Sequence, residues 1–244
     1  LVLFLASCGR QPLKLQPIPS GASVLAFGNS VTFGTGALTG QDWPTLLAQK
    51  TGWQITNAGV PGDTAEQAQH RLPNLLAQNR PALVIIEIGG NDFLKRTPQP
   101  EVKEAIRHII QAVKGVGAQA VLVAVPEWSL LNLLTRKTDA PIYQELGKEE
   151  GVLVIEQVFS AVLSQPELCA DQIHPNAKGY QAMADGIYGA LKKAGALRGD
   201  LNSSTFETVQ KLLAITCRSC RNRQQAGLNS LNHLILNGKF LCSL

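Results

Sequence analysis

The chain has 244 residues, 45% of them apolar and 16% charged, enough for one globular domain with a substantial core and too little for two full-sized ones. That composition excludes a disordered chain, and the longest apolar runs fall well short of the ~20 residues of a membrane span. Residues 1–197 carry 16 Lys/Arg against 16 Asp/Glu, so the body is neutral and offers no platform for nucleic acid, whereas residues 198–244 carry 6 against 2. The five cysteines, at 8, 169, 217, 220 and 242, are odd in number and scattered, which is not a disulfide framework.

The chain opens with Leu1-Val2-Leu3-Phe4-Leu5-Ala6-Ser7-Cys8, an apolar run ending in small residues and a cysteine. It resembles the last part of a bacterial lipoprotein signal, which implies that Cys8 is lipidated and anchors the protein to a membrane of the cell envelope, facing the periplasm. Residues 9–21, with Pro12, Pro17, Pro19 and Gly21, are expected to form an extended tether.

From residue 22 short β-branched runs alternate with helical stretches. Val24–Phe27, Gln54–Thr56, Leu83–Ile88, Ala120–Val125 and Val152–Ile155 are expected to be strands buried on both faces. Residues 42–51 form a helix capped by Asp42, with Pro44 in its first turn and Gly52 at its end. Residues 64–79 follow Asp63 as a cap, with Glu66 at the capping-box position, and Pro73 is expected to divide the stretch in two. Residues 101–114 put Val102, Ala105, Ile106, Ile109, Ile110 and Val113 on one face. Further helices run from Pro141 to Glu150 and from about Asn176 to Gly195, the last with Tyr180, Met183, Ala184, Ile187, Tyr188 and Leu191 on its stripe. Strict alternation implies right-handed crossovers and an α/β three-layer sandwich, with a five-stranded parallel sheet in the flavodoxin-like order 2-1-3-4-5. Chemistry in such sheets gathers beyond the carboxyl ends of the strands, near the switch point between strands 1 and 3.

Those ends carry Gly28-Asn29-Ser30-Val31-Thr32-Phe33-Gly34, Asn57-Ala58-Gly59-Val60-Pro61-Gly62-Asp63 and Gly89-Gly90-Asn91-Asp92, and Asp171-Gln172-Ile173-His174-Pro175-Asn176 precedes the final helix. In this order the segments resemble the blocks of the SGNH (GDSL-type) serine hydrolases, closest to the bacterial thioesterase-I/lysophospholipase/arylesterase branch, over about residues 22–197. The resemblance implies the SGNH hydrolase fold and a serine esterase that cleaves acyl, aryl or lysophospholipid (thio)esters through an acyl-enzyme. It assigns the nucleophile to Ser30, oxyanion donors to Gly59 and Asn91, and the acid and base to Asp171 and His174.

The residues support that chemistry independently. A serine hydroxyl needs a base to take its proton as it attacks. Among the histidines, His108 falls off the apolar face of its helix, His70 lies in a polar stretch and His233 in the tail. His174 alone sits beyond the strand ends with a carboxylate three residues away, and Asp171 is placed to hold its Nδ1–H. The amides of Ser30 and Gly59 and the Asn91 side chain offer three donors for an oxyanion, and a residue lacking Cβ at 59 is expected to let its amide approach the substrate. Asp92 follows Asn91 too directly to serve His174 and is expected to be structural. No metal constellation appears in the body, so neither metal nor cofactor is expected. Where the family usually has Asp before the serine, this chain has Asn29. Hydrogen bonding in the turn is expected to survive, while losing an anion beside Ser30 favours neutral His174 and eases formation of an oxyanion.

Pro126–Leu134 reads either as an apolar wall over an acyl chain or as a helix packed on the core. A carbohydrate or peptidoglycan O-acetyl esterase, or a catalytically degenerate lipid-anchored binding protein, are the alternative functions. Residues 198–244 abandon the alternation and are expected to be an anomalous, poorly ordered extension. Cys217 and Cys220 with His233 lack a fourth ligand at zinc-finger spacing, Cys242 lying too far on.

Overall fold

The computed structural model describes residues 13–127 and 137–197. Cys8, most of the apolar stretch after the fourth strand, and the tail from 198 lie outside them. Five strands, β1 (Ser23–Gly28), β2 (Gln54–Gly59), β3 (Leu83–Glu87), β4 (Gln119–Val123) and β5 (Leu153–Ile155), form one parallel sheet in the order β2-β1-β3-β4-β5, as the alternation implies. β1, β3 and β4 are buried from end to end apart from their first residues at Ser23 and Gln119, because helices cover both faces. β2 departs from the expectation. It is an edge strand with four of its six residues facing solvent or nearly so at Gln54, Ile55, Thr56 and Asn57, which explains its polar sequence.

Among the described residues eight α-helices flank the sheet, the last two following β5: α1 (Ser30–Phe33), α2 (Trp43–Thr51), α3 (Ala65–Asn79), α4 (Gly90–Leu94), α5 (Gln99–Gly115), α6 (Pro141–Glu150), α7 (Val158–Leu163) and α8 (Ala177–Lys193). α2 and α7 pack against α8, and α3 and α6 pack against α5, giving the two outer layers. α5 buries Val102, Ile106, Ile109, Ile110 and Val113, at roughly 1.5–3 kcal/mol for each side chain so removed from water. α8 buries Tyr180, Met183, Ala184, Ile187 and Leu191.

Two details of α3 correct the reading of its sequence. Its N-cap is Thr64, not Asp63, and a full capping box joins Thr64 to Gln67 rather than to Glu66. Asp63 is engaged elsewhere, by Arg71. Pro73 does not divide the helix. It lies on the exposed side between buried Leu72 and Leu76, so the carbonyl it leaves unpaired is on the side open to water while the apolar stripe continues to hold the helix.

The described part of the expected tether is extended but docked. Leu15 N–H donates to Ala194 O (2.8 Å) and Ile18 N–H to Ala196 O (2.7 Å), Ile18 is buried, and the Trp53 indole donates to Ile18 O (3.3 Å). Prolines at 17 and 19 keep this stretch out of a helix without freeing it from the domain, so any free tether must end before Leu15.

Candidate active site

β1 ends at Gly28, level with Gly59 of β2 on one side and Glu87 of β3 on the other. The chain there turns sharply into α1. A Cβ at Gly28 would collide with the Glu87 carbonyl oxygen and the Thr32 hydroxyl, so only glycine fits. Asn29 is buried and caps α1, its Oδ1 accepting from Val31 N–H (3.0 Å). The turn thus keeps the hydrogen bond expected of it with asparagine in place of aspartate. Ser30 follows as the first helical residue, and its Oγ lies 2.9 Å from His174 Nε2.

His174 arrives from a loop 144 residues on in the chain. Its Nδ1 lies 2.8 Å from Asp171 Oδ2, while Asp171 Oδ1 accepts from the Ile173 and His174 amides, both at 2.8 Å. Partial burial raises the Asp171 carboxyl. The hydrogen bonds from the His174 ring and from the two amides outweigh that, leaving its pKa below the ordinary carboxylate value. The loop is fastened below by Asn176, whose side chain caps α8 through Lys178 and Gly179 N–H and donates to the Glu167 and Cys169 carbonyls. From above, the chain after α1 presses on it. A Cβ at Gly36 would lie 2.6 Å from Pro175 O, and the Tyr180 hydroxyl donates to Thr35 O (2.7 Å). Ser30, His174 and Asp171 are therefore joined in one hydrogen-bonded chain.

The two remaining sequence candidates stand on neighbouring strand ends. Asn91 is in the first turn of α4, behind Gly89, whose φ of 116° requires glycine. It lines one cleft with Ser30, Leu94, Val125, Phe159, Ile173 and His174. One hydrogen of its side-chain amide is donated to Asp63 O (2.8 Å). Gly59 N–H donates to Asn57 Oδ1 (3.0 Å), and Asn57 Nδ2 in turn donates to Thr32 O (2.8 Å). With its N–H already given to Asn57 and its backbone outside the cleft lining, Gly59 is not the free oxyanion donor expected of it, and the reason for glycine at 59 differs as well. A Cβ there would meet the Phe33 amide nitrogen and the Thr32 carbonyl carbon, so the glycine lets α1 cross β2 rather than opening a path to substrate. Asp92 is structural, as read: its Oδ2 accepts from Ala65 N–H (2.9 Å) at the start of α3. Among the described residues no group of three His, Cys, Asp or Glu side chains is arranged to hold a metal ion.

Three side chains beside the cleft escaped the sequence reading. Glu87 is wholly buried, with Oε2 accepting from the Thr32 hydroxyl (2.9 Å) and Oε1 without a partner. Burial raises its pKa to about 8 against the lowering effect of Thr32, so it is protonated at neutral pH. Tyr143 donates to Ile88 O (2.5 Å) and packs against Gly89. Arg71 ties together the ends of β1 and β2. A lone carboxylate within the apolar run Leu83–Ile88 was the available signal for Glu87; Tyr143 and Arg71 bond mainly to backbone carbonyls, which leave no mark in a sequence.

The model of the GDSL-like lipase/acylhydrolase family matches residues 26–182. The chain belongs to this family. The GDSL-like chain is 32% identical over 168 residues to the thioesterase 1/protease 1/lysophospholipase L1 of Escherichia coli (strain K12), covering 67% of this chain and 80% of that relative. To the arylesterase of Vibrio mimicus it is 29% identical over 180 residues, covering 70% and 88%. Among solved structures it is similar to TesA, with a TM-score of 0.63 at 26% identity over 70% of this chain and 98% of the other. As a GDSL-like hydrolase with the SGNH fold, the protein acts on ester bonds of small molecules.

Proposed function

We propose that the protein is a serine esterase working through an acyl-enzyme at Ser30, with acyl, aryl or lysophospholipid (thio)esters as its substrates. The observation that carries this reading is the unbroken relay Ser30 Oγ–His174 Nε2 (2.9 Å) and His174 Nδ1–Asp171 Oδ2 (2.8 Å). Asp171, kept ionised by its hydrogen bonds, accepts the Nδ1–H and leaves the Nε2 lone pair facing the serine. Ser30 Oγ bonds to the substrate carbonyl carbon as its proton passes to Nε2, and the carbonyl π pair moves onto oxygen. That oxyanion is met by the Ser30 amide and the second Asn91 side-chain hydrogen. Collapse re-forms the carbonyl and breaks the bond to the leaving alkoxide or thiolate, which takes the Nε2 proton. Water then repeats the sequence on the acyl-enzyme, with Nε2 as base, and Ser30 recovers its proton as the carboxylic acid departs.

Leu94, Val125, Phe159 and Ile173 give the cleft apolar walls, which supports an acyl or aryl group over a sugar. The Leu5-Ala6-Ser7-Cys8 segment supports lipidation of Cys8 and a periplasm-facing site on a membrane. In cells, replacing Cys8 by Ser is expected to move the protein from the membrane to the soluble fraction; unchanged membrane association removes the anchor.

A serine-directed phosphonate is expected to label the protein once, at Ser30, with no labelling of Ser30→Ala. Hydrolysis of p-nitrophenyl esters is expected to rise in kcat/KM as the acyl chain lengthens beyond acetate. A maximum at acetate favours an O-acetyl esterase, and a folded protein that takes up no phosphonate is a binding protein, either of which overturns the proposal.

A further inference from the structure

All five strands run the same way, and each is entered from the end of a helix or, for β1, from the docked stretch before it. The ends of α2, α3, α5, α6 and α8 therefore share one end of the domain, opposite the cleft, and basic residues gather there. Lys14 precedes β1, Arg80 caps α3, Lys114 lies in the last turn of α5, and Lys192 and Lys193 close α8, all of them exposed. Lys50 and Lys148 occupy the last turns of α2 and α6. The acids nearby are already engaged, Glu149 and Glu150 by Lys103 and Arg107 of α5, and Asp185 by Lys50. Lys114 donates only to a backbone carbonyl, that of Glu150, so its charge is not neutralised. We propose that this end of the domain is a docking face for an anionic phospholipid bilayer, with the cleft held at the far ends of the strands.

The charge there is a separation, not an excess, since residues 1–197 carry 16 Lys/Arg against 16 Asp/Glu. The cleft end carries both signs, exposed Glu66, Glu101, Glu156, Glu167 and Asp171 being set against exposed Lys95, Arg96 and Lys178. Helix macrodipoles favour cations at helix ends and account for part of the pattern. They do not account for Lys14, which is in no helix, nor for the apolar side chains interleaved with the charges. Val116 is 58% exposed and Leu13 46% exposed, and Val116 and Arg80 border a groove between α3 and α5 floored by Pro73, Ala77, Pro81 and Ala112. Cations among exposed apolar groups are what a surface needs to meet anionic headgroups and the acyl boundary beneath them. Exposed Phe33, Leu38 and Val60 stand instead at the acidic cleft end, where an anionic surface is repelled.

The connections of the chain point to the same face. The described residues begin at Leu13 and end at Leu197, and both ends meet there, through Leu15 N–H to Ala194 O and a bridge between Ile18 and Leu197. Residues 1–12 thus join the domain on the basic face. From Cys8 to Leu13 the chain spans at most ~18 Å, so a membrane that holds Cys8 lies toward this face. Strands of five or six residues put Ser30 a further ~20 Å away, open to esters arriving from water. The face is expected to act without the acyl group as well, which separates the proposal from lipidation of Cys8.

The test uses the full chain carrying Cys8→Ser, so that no acyl chain contributes, in sedimentation with vesicles of phosphatidylcholine alone or mixed with phosphatidylglycerol. The parent is expected to bind the mixed vesicles and not the neutral ones, less strongly as salt is raised. Two variants with the same change in charge then compare the two ends of the domain. Arg80→Gln with Lys193→Gln is expected to lower the partition coefficient by about 10–30-fold, and Lys95→Gln with Arg96→Gln by less than about twofold. Leu13→Ser with Val116→Ser is expected to lose a few-fold while keeping the salt dependence. Turnover of a soluble p-nitrophenyl ester by the Arg80 and Lys193 variant, per site titrated with phosphonate, is expected to match the parent's, so that a loss of binding is not a loss of fold. A parent that ignores phosphatidylglycerol overturns the proposal. A loss no larger from Arg80 and Lys193 than from Lys95 and Arg96 overturns it too, because binding then follows overall charge or the basic residues beyond 197.

Discussion

Ser30 sits on a strand end hemmed in on both sides, where Gly28 and Gly59 admit no Cβ and buried Asn29, Thr32 and Glu87 surround the turn. Asp171 and His174 come from a surface loop. The Asp171 side chain is 53% exposed, and its fixed position derives from two amides within three residues of it. One region is held by contacts between elements far apart in sequence, the other mainly by a local turn anchored at Asn176, with Thr35 and Gly36 packed over it. The nucleophile after β1 must be placed against the Asn91 side chain after β3, which demands a rigid core. The imidazole needs only to reach one hydroxyl.

Substitutions on each side test this contrast. His174→Ala is expected to lower kcat by roughly 10⁴-fold or more, since no other base faces Ser30 Oγ among the described contacts. Asp171→Ala is expected to cost less than His174→Ala, because solvent reaches the vacated position and can hydrate Nδ1, but still on the order of 10³-fold. Single-turnover assays with a p-nitrophenyl ester measure both. Equal losses at the two positions would mean that the exposed carboxylate is held as stringently as the core. Asn91→Ala comes next, at about 10²–10³-fold in kcat with little change in KM.

Glu87 probes the core side through stability. Its folded pKa of about 8 lies above the ordinary carboxyl value of 4.5, so the folded state binds the proton more tightly. Stability from this group is complete below pH 4.5 and declines as pH rises through 8. Glu87→Gln mimics the protonated acid and cannot ionise. It is expected to match the parent within about 1 kcal/mol at pH 5, where both side chains are neutral, and to exceed it at pH 9. Urea unfolding at the two pH values checks this, and parallel stability curves would show that folding does not shift the Glu87 pKa.

The local region was also the more legible in sequence. Asp-x-x-His before a capped helix is a short pattern whose hydrogen bonds close within four residues, and β1, β3 and β4 announce themselves as β-branched runs. α1 and α4, at four and five residues, are too short for any periodicity to register. Arg71 and Asn57 look like ordinary polar residues of a helix and an edge strand, because their partners are carbonyls of segments brought close only by folding. The continuous α3 was misread at Pro73 for a related reason: the side facing solvent is decided by packing, not by the local sequence.

Asn29 joins the two regions, being a core residue whose charge, or lack of it, is felt by the imidazole in the loop. Its Oδ1 already makes the bond to Val31 N–H that an aspartate would make, so Asn29→Asp is expected to leave the turn in place and change only the charge. A buried anion beside Ser30 favours the imidazolium and opposes a second negative charge. The acid limb of the kcat/KM profile is therefore expected to move to higher pH, and plateau activity to fall a few-fold, the smallest effect of this series. A pH–rate profile that superposes on the parent's means that the charge is neutralised where it sits. With Glu87 protonated and lining the same cleft, the way to separate that outcome is to repeat the profile in Glu87→Gln, which removes the only other buried carboxyl there among the described residues.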